Sequence, residues 1–284
     1  MNNILVTGCN GQLGSEFKKL EKKYTEYFFF FKDIDLDITK KSQLEKFIKN
    51  NSIGIILNTA AYTNVSGAEI EKKKANSINT FGVKNLVELS EKYMIKLIHF
   101  STDYVYSSNS KDPIGEKKIT NPLNYYGISK RNGELFIENS NSESIIIRTS
   151  WLYSSNGKNF VNTIIQKATQ EKKINIVCDQ FGCPTYAKDL AIDTMRILKS
   201  KLRLDFDGKI YNYSNLGFTN WSDFAKEIIT ISNLNCIVEE VSSDFFNDSV
   251  KRPMFSITDK NKIISNFGLD IVHWKKSLRN YLNK

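Results

Sequence analysis

Through the first half of the chain, short apolar runs alternate with stretches whose apolar positions recur every three or four residues. The runs lie at residues 4–7, 26–31, 53–57, 96–100 and 144–148 and are nearly continuous in Ile, Leu, Val and Phe. Between them, residues 12–23, 41–50, 69–93 and 125–139 carry helical spacing. Strands that are apolar throughout, rather than on every second residue, are buried on both faces. Alternating with helices, they predict a parallel sheet covered on both sides, and right-handed crossovers make it doubly wound.

Beyond about Trp151 the pattern loosens. Strand signals at 174–178, 209–213 and 236–241 alternate with helical stretches near 161–171, 189–199 and 221–231. The expected organisation is a large α/β domain with a smaller, mostly C-terminal α/β lobe interleaved with it. Residues 1–152 with about 183–205 form the first, and about 153–182 with 206–284 form the second. A chain of 284 residues accommodates both.

Composition removes several classes of function. Hydrophobic residues at 40% and charged residues at 25% are ordinary globular usage and exclude wholesale disorder. No apolar run approaches the ~20 residues of a membrane span, and Met1-Asn2-Asn3 offers no basic leader, so a cytoplasmic protein is expected. Cys9, Cys178, Cys183 and Cys236 form neither a CxxC nor a His-flanked zinc pattern and read as reduced thiols, with no metal site. The net charge of +9 is compatible with nucleic acid, an anionic membrane surface or a phosphorylated small substrate. The lysines are scattered along the chain, many in pairs such as Lys40-Lys41 and Lys117-Lys118, as on solvated helix faces. A nucleic-acid surface would need them clustered with aromatics, so none is expected.

Candidate chemistry begins with Gly8-Cys9-Asn10-Gly11-Gln12-Leu13-Gly14, directly after the first strand and opening the first helix. Gly8 permits the tight turn, Gly11 lets a pyrophosphate approach the backbone, and Gly14 lets helix and strand pack closely. The helix N-terminus then presents free amides and a positive dipole end to phosphates. After the second strand, Asp33, Asp35 and Asp37 can each offer a carboxylate to a ribose diol, whereas Lys32 can receive a 2′-phosphate. NADH and NADPH both remain open.

A second signal is Tyr126-Gly127-Ile128-Ser129-Lys130 at the start of a helix, where the i, i+4 spacing puts Tyr126 and Lys130 on one face. Taken alone, the pair also fits an exposed Tyr–Lys contact. An ammonium beside a phenol lowers the phenol's pKa, which would make Tyr126 a proton donor to a carbonyl receiving hydride. A third signal, Ser101-Thr102-Asp103-Tyr104, follows the strand at 96–100, where Ser101 or Thr102 can hydrogen-bond the same oxygen.

Together these motifs resemble the extended short-chain dehydrogenase/reductases, a Rossmann-like class. Within them, the resemblance to the dTDP-4-dehydrorhamnose reductases is close and covers nearly the whole chain. Further motifs carrying it are Leu36-Asp37-Ile38-Thr39, Asn58-Thr59-Ala60-Ala61-Tyr62, Arg148-Thr149-Ser150-Trp151, Arg252-Pro253 and, most specific, Asp179-Gln180-Phe181-Gly182-Cys183-Pro184-Thr185. The resemblance implies an NADPH- or NADH-dependent oxidoreductase of dTDP-rhamnose and cell-surface polysaccharide biosynthesis. Tyr126 would protonate the C4 oxygen of a nucleotide-diphosphate 4-keto-6-deoxy sugar, Lys130 would bind the nicotinamide ribose, and Thr102 would polarise the carbonyl. Gly8, Gly11, Gln12, Leu13 and Gly14 would cradle the pyrophosphate. Asp37 and Ile38 would border the adenine, and Ala60, Ala61, Tyr62 and Ser101 would line the path to the nicotinamide. Asp103, Tyr104, Trp151, Gln180, Pro184 and Arg252 would shape the sugar site.

The chain departs from the family at several points. The usual Val-Asp-Lys-Ala-Glu reads Val65-Ser66-Gly67-Ala68-Glu69. Some members dimerise around Mg²⁺ held by glutamates. Here Glu16 matches one such position, Lys188 replaces a second and the segment 274–284 has no acid, so a monomer or weak homodimer without magnesium is expected. Phe255 and Thr258 stand where the family prefers Asn and Asp, leaving a UDP-linked 4-keto sugar as an alternative substrate. A non-catalytic relative, the NADP-binding regulatory subunit of methionine adenosyltransferase, gives a second reading. The presence of both Tyr126 and Lys130 counts against it.

Overall fold

The computed structural model describes residues 2–107, 112–200 and 209–283. In the first half, β1 (Asn3–Thr7), α1 (Gln12–Leu20), β2 (Phe28–Lys32), α2 (Lys41–Asn50) and β3 (Ile55–Asn58) follow one another closely. Next come α3 (Val65–Ile70), α4 (Lys72–Asn76), a π-helical turn at Ser77–Gly82, α5 (Val83–Tyr93), β4 (Lys96–Thr102), α6 (Tyr125–Glu138) and β5 (Ser144–Thr149). The second half adds β6 (Leu152–Tyr153), α7 (Phe160–Gln170), β7 (Lys173–Val177), β8 (Phe181–Gly182), β9 (Thr185–Tyr186) and α8 (Ala187–Lys199). It closes with β10 (Ile210–Tyr213), β11 (Thr219–Asn220), α9 (Trp221–Ile231), β12 (Ile237–Val241), α10 (Asn261–Phe267) and α11 (Trp274–Leu282).

Six strands form one sheet in the order β2-β1-β3-β4-β5-β10, every pair parallel. The fold is therefore the α/β, doubly wound one read from the sequence. Adjacent residues of a strand feed opposite faces. Ile4 and Val6 pack with Leu13, Phe17, Leu190 and Met195 under α1 and α8. Leu5 packs with Leu44, Ile48, Leu86 and Ile137 under α2, α5 and α6. Both faces being apolar is what made the strands read as continuous hydrophobic runs. A third core, around Ile164, Ile176, Phe224, Ile228 and Leu278, joins α7, α9 and α11 to the parallel pair β7–β12.

Two expectations need correction. Residues 210–213, placed with the smaller lobe from sequence, are the sixth strand of the large sheet, beside β5. Tyr211 and Tyr213 belong to the core under α1 and α8, so α8 serves as the crossover helix. The single long helix expected over 69–93 is broken at Glu71 (φ −94°, ψ 43°) and widens into the π turn. The break turns the Glu71 carboxylate toward Tyr62, whose hydroxyl donates to it at 2.5 Å. Within the π turn, the Asn79 side chain accepts from Tyr62 N–H (2.8 Å) and donates to Tyr62 C=O (3.0 Å). The interruption thus clamps the loop that follows β3.

Candidate active site

A cleft of about 1030 Å³ opens at the carboxyl ends of β1 to β5. From β1 the chain winds outward to β2 and then returns past β1 to β3, so the cleft sits where strand order reverses. At its floor, Gly8 has φ +63°, and a Cβ there would lie 2.6 Å from the Ala60 backbone. A Cβ on Gly14 would lie 2.5 Å from the Gly8 carbonyl, so α1 seats directly on the turn. Gly11 caps α1 without any side-chain hydrogen bond, which leaves the first helical amides free for an anionic ligand. Gln12, Leu13, Asp37, Ile38, Ala60 and Ala61 line the cleft. This narrow, amide-rich floor fits a dinucleotide.

The acidic residues after β2 divide their tasks. Asp33 lines the cleft and accepts from Asn10 N–H at 2.9 Å, which ties it to the glycine turn. Lys32 is instead paired with Asp35 at 2.6 Å. Tyr62 is absent from the cleft wall. Its ring lies beneath Lys74, whose amine is 5.6 Å from the ring centroid and which does line the cleft. A side chain at Gly67 would collide with the Tyr62 hydroxyl. This is a physical reason for glycine where the family carries lysine.

The proton-transfer residues converge at the other end. The Asn124 side chain caps α6 by accepting from Gly127 N–H at 2.9 Å. Any side chain on Gly127 would strike the Tyr104 carbonyl, so α6 begins hard against the end of β4. Tyr126, Lys130, Thr102, Ser101, Asp103 and Tyr104 all line the cleft. Burial holds the Tyr126 phenol above its ordinary range, and a hydrogen bond with Thr102 partly opposes it. The sequence expectation that Lys130 lowers the Tyr126 pKa is therefore corrected. The Lys130 amine donates to the Phe100 carbonyl at 2.7 Å and lies 3.3 Å from His99 Nε2. Burial pushes Lys130 itself down to about 8.

The adjoining wall is less saturated. Ser101 Oγ and Asp103 Oδ2 are buried and have no hydrogen-bond partner among the described residues. Burial raises the Asp103 carboxyl to about 6, against hydrogen bonds from Ser256 and Thr102. Trp151 adopts φ +45° and stacks on Trp221 with ring centroids 3.4 Å apart. Gly182 lies flat beneath it, where a Cβ would come within 2.5 Å of the indole. Three residues expected in the sugar site stand behind this wall. Gln180 accepts from Trp221 Nε1–H at 3.2 Å, Arg252 donates to the Tyr104 hydroxyl at 3.4 Å, and Pro184 is buried between β8 and β9.

A family model described as the RmlD substrate binding domain matches residues 1–284. The chain belongs to the dTDP-4-dehydrorhamnose reductase family. It is 34% identical to the dTDP-4-dehydrorhamnose reductase of Aggregatibacter actinomycetemcomitans over 99% of this chain and 98% of that protein. The spore coat polysaccharide biosynthesis protein SpsK of Bacillus subtilis is 33% identical, over 100% of this chain and 98% of its own length. The crystal structure of the Bacillus anthracis dTDP-4-dehydrorhamnose reductase in complex with NADP superposes with a TM-score of 0.91 at 34% identity, covering 100% of this chain and 99% of that one.

Lys74 and Lys158 are two further cations on the cleft wall that no sequence motif marks. Nothing distinguishes them in sequence from the many lysines on solvated faces. Trp221 is unmarked as well, because it reaches Trp151 only through the packing of α9 against the loop after β5.

Proposed function

We propose that this protein reduces the C4 ketone of a dTDP-linked 4-keto-6-deoxy sugar, dTDP-4-dehydro-L-rhamnose, to the alcohol with NADPH or NADH. The observation that carries this reading is the convergence of Tyr126, Thr102 and Lys130 in the cleft that the glycine turn floors. The dinucleotide, when bound, supplies the hydride that becomes the new C4–H bond. Tyr126 donates its phenolic proton to the C4 oxygen, completing the alcohol. Because burial keeps that phenol protonated, the donor form is present throughout the neutral range. Thr102 hydrogen-bonds the same oxygen and steadies the negative charge that grows on it. Gly8, Gly11 and the free amides of α1 take the pyrophosphate, with Lys158 nearby, and Asp33 takes the ribose diol. Tyr104, Trp151 and Asp103 face the sugar, backed by Arg252, Trp221 and Gln180. We read the chain as a monomer or weak homodimer with two interleaved lobes, the smaller shaping the sugar site.

Purified protein given dTDP-4-dehydro-L-rhamnose and either cofactor is expected to oxidise the cofactor, and faster than with the UDP-linked counterpart. Tight cofactor binding with no turnover on either sugar would refute the proposal.

A further inference from the structure

Thr7, Asn58 and His99 stand abreast on β1, β3 and β4, where they are direct register partners. Their side chains share the sheet face covered by α5 and α6, and all three are essentially inaccessible to solvent. They form an unbroken hydrogen-bonded row. Thr7 Oγ1 donates to Asn58 Oδ1 at 2.7 Å, Asn58 Nδ2 meets His99 Nδ1 at 2.8 Å, and His99 Nε2 meets the Lys130 amine at 3.3 Å. A polar row through an apolar layer costs stability unless every member is satisfied. This one ends on a residue of the active site.

Counting donors and acceptors leaves two orientations of the Asn58 amide, of which only one accommodates a charged Lys130. In the arrangement present here, Asn58 donates to Nδ1, so the neutral ring carries its proton on Nε2. That N–H can bond only to an uncharged Lys130 amine, which offers a lone pair. In the other arrangement the Asn58 amide is turned, and its Oδ1 accepts from Nδ1–H while its Nδ2 donates to Thr7. Nε2 then accepts an N–H of Lys130, the only bond that the charged ammonium can make with the ring. Lys130 donates to the Phe100 carbonyl in both.

We infer that His99 is a positioning residue for the reaction, which holds Lys130 in place in either protonation state by exchanging tautomers together with the Asn58 amide. The inference rests on the reductase reading only for its kinetic consequence, since the exchange belongs to the protein alone. The charged and titratable groups around Lys130 are consistent with it. Glu134, one turn along α6, is engaged by Arg148 of β5 and Arg131. Asp103 and Tyr104, beyond β4, act on Tyr126. Burial and the Lys130 charge hold the His99 ring well below its ordinary pKa, so the ring answers by changing tautomer and not by becoming imidazolium.

The chain has two histidines, and His273 is exposed, so ¹⁵N-histidine NMR of the ligand-free protein reads His99 cleanly. His99 is expected to stay neutral from about pH 6 to about pH 10, its Nδ1 and Nε2 shifts exchanging character with a midpoint near 8, the value to which burial brings Lys130. In Lys130→Met the exchange is expected to vanish. Should that variant not fold, Lys130→Arg, whose side chain stays charged and can only donate to Nε2, is expected to hold one tautomer and abolish the exchange as well. A single His99 tautomer across the range, or ring protonation, overturns the inference whether or not the protein turns over. In the kinetic assay, kcat is expected to show a pH limb near 8 where Lys130 titrates, and His99→Leu should lower kcat about tenfold and move that limb by about one unit, a tenfold change in the protonation equilibrium. His99→Gln, whose amide can present oxygen or nitrogen, should recover most of both. A uniform drop in kcat with an unmoved pH limb would mark a packing role and overturn the inference.

Discussion

Asp103 shows how burial sets chemistry at a single position. Its carboxyl is raised from the ordinary 3.8 to about 6 chiefly by burial, so the folded protein holds its proton more tightly than the unfolded chain. Stability contributed by the neutral form is complete below about pH 4 and is lost as pH climbs toward 6, a loss on the order of 3 kcal/mol. Asp103→Asn keeps the neutral shape, so its stability should match wild type at about pH 4 and exceed it by about that amount at about pH 7 in urea titrations. Equal stabilities at both pH values would contradict the burial argument. Asp33 sets a different preference. With Lys32 engaged by Asp35, the carboxylate tied to Asn10 N–H favours a free ribose diol over a 2′-phosphate. Asp33→Ser should shift the NADH-to-NADPH ratio of kcat/KM toward NADPH about tenfold, equivalent to ~1.4 kcal/mol. No shift would place the discrimination elsewhere. Residue spacings such as Gly8–Gly11–Gly14 and Tyr126–Lys130 were legible in sequence because contiguous turns and helices fix them. The direction of the Lys130 amine was not, because it is decided by the Phe100 carbonyl, a backbone group without a sequence signature.

Among elements, strand and helix order was legible because burial on both faces leaves a continuous apolar run. The break at Glu71 and the π turn were not, because Asn79 offsets the lost regularity with tertiary hydrogen bonds to Tyr62 and to Ser129 on α6. The loop after β5 and the strand β8 carry a second consequence. Trp151 is held at a positive φ between Trp221 and the bare Cα of Gly182. Gly182→Ala must move the indole, so KM for the sugar nucleotide should rise about tenfold, with stability falling by about 1–3 kcal/mol. Cofactor affinity should be unchanged, since the glycine turn lies apart from this wall. An unaltered KM would show that the stacked tryptophans do not face the substrate.

For the whole molecule, the parallel sheet was legible and its sixth strand was not. The strand at Ile210–Tyr213 joins the large sheet because the crossover through α8 returns the chain beside β5, a property of topology that local pattern does not reveal. No helix among the described residues is long and apolar enough to cross a membrane. Of the +9 net charge, Lys74 and Lys158 stand on the cleft wall, where they suit a diphosphate. The central claim is that Tyr126 delivers the proton when the C4 ketone is reduced. The most direct measurement is oxidation of NADPH by dTDP-4-dehydro-L-rhamnose with wild type and Tyr126→Phe side by side, each with its cofactor dissociation constant. Turnover should fall about a hundredfold or more in the variant with cofactor affinity nearly intact. Wild-type turnover in Tyr126→Phe would contradict the account.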